Sequence, residues 1–85
     1  MLHAREDYNR RVQDSENLIP KDEPVFLLRG QDKIAPVVLG IWADILEARG
    51  GDSNIVSAAR IQVLRMRQWQ REIAAKIPDA PKGTL

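Results

Sequence analysis

With 85 residues, no cysteine and a net charge of +1, this chain has room for one small domain with a limited core. The missing cysteines exclude disulfides, thiolate nucleophiles and cysteine-ligated zinc. Near-neutrality argues against a dedicated duplex-DNA binder, so nucleic acid is not the expected partner. No apolar run approaches the length of a membrane span, and Met1–Asp7 lacks the apolar centre of a secretory signal. A cytoplasmic protein without membrane contact is therefore expected.

The N-terminal arm, residues 1–18, carries a sparse apolar stripe of Ala4, Tyr8 and Val12, which predicts a helix too weak to persist without packing. Tyr8 has Arg5, Arg10 and Arg11 nearby, a combination suited to stacking on a nucleobase while a guanidinium meets phosphate. The rival reading is a tyrosine buried between subunits. His3, the lone histidine, lies close to the terminus and makes a poor general base, because a catalytic base must be firmly positioned.

Residues 19–35 set the apolar run Val25–Leu28 beside Arg29, Gln31, Asp32 and Lys33. Asp22 and Pro24 are expected to start a short helix over 25–28, since no second strand is evident to pair with it. Burial of Phe26, Leu27 and Leu28 would give the polar group a fixed base. Arg29 can grip a phosphate or carboxylate through two parallel hydrogen bonds, and Lys33 adds a point charge. Gln31 and Asp32 can read a hydroxyl or a base edge. The plainer reading is structural, with Asp32 capping the next helix and Arg29 paired to a carboxylate.

A second helix is predicted over 36–50, with Pro36 in its first turn and Gly50-Gly51 as its stop. Val37, Val38, Leu39, Ile41, Trp42, Ile45, Leu46 and Ala48 cover more than half its circumference, leaving Gly40, Asp44 and Glu47 as a polar strip. A monomer's surface helix needs a narrower stripe, so a homo-oligomer is expected; a central helix wrapped by the N-terminal arm is the alternative. The strongest helix, over 53–77, is capped by Asp52 or Ser53 and puts Ile55, Ala59, Val63, Met66, Trp69, Ile73 and Ile77 on one broad face. Trp42 and Trp69 are read as core residues. Arg60, Arg67 and Arg71 form a row along the helix edge, a candidate anion site unless Asp7, Asp14 or Glu16 answers them. Residues 78–85 are expected to form a tail. The expected class is all-α, a bundle of three to four helices in one domain, with no metal site and no cofactor.

The block Ile19-Pro20-Lys21-Asp22-Glu23-Pro24-Val25-Phe26-Leu27-Leu28-Arg29-Gly30-Gln31-Asp32-Lys33-Ile34-Ala35-Pro36, followed by the tryptophan helix, resembles small helical proteins encoded by phage and prophage genomes. The likeness covers residues 19 to 50 and brings no activity that can be carried over residue by residue. It implies a short viral protein acting in the host cell. Some anti-defence proteins of that size are oligomeric sponges for immune signals. The resulting expectation is a non-enzymatic homo-oligomer that sequesters a phosphorylated nucleotide-type ligand, with Tyr8, Arg29, Gln31, Asp32, Lys33, Arg60, Arg67 and Arg71 as its contacts. The alternative is a helical protein that binds and blocks a host protein.

Overall fold

A computed structural model describes residues 1–79. They form two compact units, residues 1–27 with Asp79, and residues 28–78. Three helices and one two-stranded parallel sheet make up the regular structure: β1 (Leu2–His3), α1 (Glu6–Asn9), β2 (Pro24–Val25), α2 (Ala35–Ala48) and α3 (Ser53–Glu72). The protein is therefore mostly helical, as expected, but the sheet corrects the all-α reading. Among the described residues, no helix is long and apolar enough to cross a membrane.

In the N-terminal unit, Leu2 pairs with Pro24 and His3 with Val25, and the Leu2 amide donates to the Glu23 carbonyl at 2.8 Å. Pro24 is tolerated because it opens its strand, where no ladder donor is needed. The strand replaces the short helix expected over 25–28. The expected N-terminal helix shrinks to the single turn of α1, which has no side-chain cap on its first amides. His3 is buried, its ring stacked on Phe26 at 4.7 Å and edge-on to Tyr8 at 5.0 Å. Its ring nitrogens lie 2.9 Å from the Arg5 amide and 2.5 Å from the Leu27 amide. A neutral imidazole has one acceptor nitrogen, so it satisfies one amide at a time. His3 is thus a structural pin between the Arg5 and Leu27 segments of this unit.

The second unit is a helical hairpin. Asp52 caps α3, its carboxylate accepting from the Asn54 and Ile55 amides at 2.7 and 3.3 Å. α2 ends in a Schellman arrangement: Gly51 N–H donates to Leu46 O at 2.9 Å and Gly50 N–H to Glu47 O at 3.0 Å, with Gly50 at φ +75°. Ala35, Pro36 and Ala43 are the buried residues of α2; Val56, Ala59 and Met66 are those of α3. Helix α3 stops at Glu72, short of the expected residue 77. Pro78 disfavours helical backbone at Ile77, and Lys76 instead pairs with the 31–33 segment, its N–H donating to Gln31 O at 2.8 Å while its carbonyl accepts from Lys33 N–H at 3.0 Å.

A side chain on Gly51 would bring Cβ to 3.0 Å from the Leu46 carbonyl and closer still to the Leu46 side chain, whereas one on Gly40 would meet nothing within 4 Å. Gly51→Ala is expected to destabilise the hairpin by about 1–3 kcal/mol through overpacking. Gly40→Ala should stabilise it by about 0.5–1 kcal/mol through helix propensity. Urea unfolding followed by tryptophan fluorescence reads both.

Acid provides a separate test of the N-terminal unit. The Arg5 guanidinium, bonded to Asp7 at 2.7 and 3.2 Å, holds that carboxyl below its ordinary 3.8, against the opposing effect of burial. A lowered folded value means the contribution is complete above 3.8 and is lost as pH falls below it through the folded value. Tyr8 ring resonances, reporting on the Arg5 cation 4.1 Å from the ring centroid, should shift in that acid range in the native chain. In Asp7→Asn the same titration should be flat.

Candidate functional site

Sequence folds residues 29–33 into a short polar loop that the start of α2 and the end of α3 hold in place. The Asp32 carboxylate accepts from the Ile34 amide at 2.7 Å, closing the turn that leads into α2. The Gln70 side-chain amide reaches from α3 and donates to Gly30 O at 3.0 Å and to Asp32 O at 2.7 Å. The Lys76 bridge fixes the other side of the loop. An apolar base under the loop was expected. Of that base, Phe26 and Leu27 are 65% and 41% exposed while Leu28 is half-buried and lines the cleft described below, and polar bonds hold the loop backbone.

Against this loop, α3 presents Gln62, Arg65, Met66 and Trp69. Spaced i, i+3, i+4 and i+7, they share an arc of about 100°. Together with Leu28, Arg29, Gly30 and Gln31 they line an open cleft of about 280 Å³. Met66 is buried and forms apolar floor, while Trp69 is 47% exposed and offers its indole to an incoming ring. Gly30 leaves that indole open; a Cβ there would sit 3.8 Å from the Trp69 ring. Arg29 and Arg65 provide two guanidinium forks, and Gln31 and Gln62 provide amides that both donate and accept. Among the described residues, no carboxylate pairs with Arg29 or Arg65. The arrangement has planar cations for an oxyanion, a flat apolar face for an aromatic ring, and two amides for polar edges.

The expected contacts divide sharply. Arg29 and Gln31 line the cleft. Asp32 serves as a turn cap, and Lys33 is exposed at the end of the loop and outside the cleft lining. Tyr8 belongs to the N-terminal unit, where it is buried with its ring engaged by Arg5 and His3. Arg60 bonds Glu47 at 2.9 and 3.2 Å and Asp44 at 3.1 Å, so α2 answers it, not the arm. These bonds, to Glu47 first, push the guanidinium further above its already high value and hold Glu47 below the ordinary carboxylate range. Arg67 and Arg71 are exposed, and Arg67 lies roughly 160° around α3 from Arg65. They do not form a rim for the cleft.

Gln62, Arg65 and Trp69 escaped the sequence reading. Their common i, i+3, i+7 spacing was visible, but a mixed polar and aromatic face becomes a site only when another segment lies against it. Among the described residues, no group of three or more His, Cys, Asp or Glu could hold a metal ion. Compared with known proteins, the chain matches no family model, no curated protein and no solved structure.

Gln70 joins fold and site. Gln70→Ala removes both side-chain bonds to the loop, at about 0.5–1.5 kcal/mol each. The expected outcome is a stability loss of about 1–3 kcal/mol, with faster amide exchange across residues 30–33 and unchanged exchange in the middle of α2. Hydrogen-exchange mass spectrometry separates that local loosening from global unfolding.

Proposed function

We propose that this chain is a non-enzymatic viral anti-defence protein that sequesters a phosphorylated nucleotide-type signalling molecule in the host cytoplasm. The observation that carries the reading is the cleft in which two arginines, without a carboxylate partner among the described residues, and two glutamines surround a half-exposed indole. A nucleotide presents the matching groups: an anionic phosphate, a flat base and polar base edges. The resemblance to phage proteins supplies the biological setting. Arg29 and Arg65 neutralise phosphate, Trp69 stacks on the base, and Gln31 and Gln62 read its edge.

Magnitudes limit the affinity. Charge-assisted hydrogen bonds contribute about 1.5–3 kcal/mol each, and base stacking on an aromatic side chain about 1–3 kcal/mol. Two arginines and one ring supply a gross total of roughly 4–9 kcal/mol, from which ordering costs are subtracted. A single cleft therefore binds in the micromolar range or more weakly, since 1 μM corresponds to about 8.2 kcal/mol. Sequestration then depends on abundance, as it does for any stoichiometric binder without turnover.

The second reading, a helical protein that binds and blocks a host protein, is favoured by one observation: the outer face of α2 exposes large apolar side chains. It predicts a stoichiometric protein partner in pull-downs and no small ligand.

Isothermal titration with cyclic dinucleotides and ADP-ribose derivatives tests the leading reading. Saturable heat is expected with at least one of them, weakened about tenfold by Arg29→Ala or Arg65→Ala, a loss of about 1.4 kcal/mol. The ligand should be recovered chemically unchanged. Absence of heat with every compound, or equal binding by both variants, overturns the proposal.

A further inference from the structure

We infer that the outer face of α2 is a self-association surface, covered by a second copy of this chain packed antiparallel about a two-fold axis near Ile41. Val37, Val38, Ile41, Trp42 and Ile45 are each between 44 and 54% exposed. They occupy an arc of about 140° on the side of α2 turned away from α3. Within Ala35–Ala48 no charged residue falls in that arc; the exposed C-cap residue Arg49 continues it at the C-terminal end. Five half-exposed side chains of this size present on the order of 400–500 Å² of apolar surface, at the upper end of what a soluble monomer leaves in one patch. A stable interface buries roughly 800 Å² per partner, so this stripe supplies its apolar centre and the flanks supply the remainder.

The monomer's own core argues that the cover is constitutive. Among the described residues of the hairpin unit, the buried hydrophobic residues are Ala35, Ala43, Val56, Ala59 and Met66, three of the five alanine. A small chain with so little internal burial gains stability by associating. The partner available in fixed ratio from synthesis onward is another copy.

Charge selects the orientation. On one flank of the hairpin, Asp44 and Glu47 lie near the C-terminal end of α2, with Arg60 bonded to them. Arg67 shares the row with Arg60, and in the antiparallel hairpin it stands roughly 10 Å further toward the N-terminal end of α2. Among the described residues, Arg67 and Arg71 have no carboxylate partner. This flank therefore carries one net negative charge at one end, where two carboxylates share Arg60, and two cations at the other. A two-fold axis across the helix sets the acidic end of each copy beside the free arginines of its mate. A self-complementary pattern of this kind is what an isologous interface requires. The Val37, Ile41 and Ile45 ridge, at i±4 spacing, also interlocks with its own copy in the commonest class of helix packing.

Light scattering of the full chain at micromolar concentration should give twice the chain mass or an even multiple of it. Ile41→Glu, a change at an exposed position, should reduce the mass to that of one chain with helical circular dichroism retained. Because the chain has no cysteine, single thiols give an independent readout should that variant fail to fold. Val37→Cys mixed with Ile45→Cys should form mixed disulfides in preference to either symmetric pair. A control thiol, Ser57→Cys on the exposed surface of α3, should stay unlinked. A single-chain mass for the native protein, an assembly that survives Ile41→Glu, or cross-linking at Ser57 as efficient as along α2 overturns the inference.

Discussion

α2 and α3 lie along each other, and the two wholly buried residues of α2, Ala35 and Ala43, are among the smallest available. Short side chains at a helix contact allow the axes to approach closely. The consequence is that bulk is displaced outward. Ile41, Trp42 and Ile45 stay partly in solvent on one side of the hairpin, and Trp69 remains half exposed on another. The hairpin thus burdens its own surface with apolar groups that a larger core would have absorbed. Both the cleft and the half-exposed stripe follow from that one choice of contact residues.

Local polar bonds compensate where apolar burial is thin. The loop that carries Arg29 and Gln31 is secured by the Gln70 amide and the Lys76 backbone. The turn between the helices is secured by Asp52 and the Gly50-Gly51 stop. Each bond contributes about 1 kcal/mol, but each also selects one geometry among many. In the N-terminal unit the buried His3 and Asp7 act in the same way, engaging amides and Arg5. Specificity in this chain comes largely from directional bonds near the surface.

Long periodic segments were legible in the sequence, and single turns were not. α2 and the start of α3 follow from apolar spacing, Pro36, the double glycine and Asp52, all local signals. The sheet escaped because two-residue strands have no period, and because β1 and β2 are separated by the whole N-terminal arm. The helical reading of residues 73–77 failed for a related reason: the Lys76 pairing with Gln31 and Lys33 is non-local. Of the cleft, Arg29 and Gln31 were accessible because their residue types stand together in sequence. Arg65 and Trp69 become neighbours of Arg29 only once α3 runs back along α2, and the apolar spacing that placed Trp69 in a core was true of its helix face yet silent about what covers it.

The geometry also separates the proposed binding cleft from the proposed self-association stripe. By helical angle, the cleft residues of α3 lie roughly 85° to one side of the residues it buries, and the Arg60, Arg67 and Arg71 row about 85° to the other. The apolar stripe of α2 points roughly 150° away from that helix's own buried residues. A copy docked on the stripe, as proposed, would engage the back of the hairpin and the arginine flank. The cleft would stay on the opposite flank, open in both copies. Two consequences follow from that separation. Loss of the stripe should leave ligand affinity per chain intact, and loss of Arg65 should leave assembly intact. An assembly whose clefts behaved as one cooperative unit would contradict this placement, because the bonds that join the helices, Arg60 to Asp44 and Glu47, lie on the flank away from the cleft.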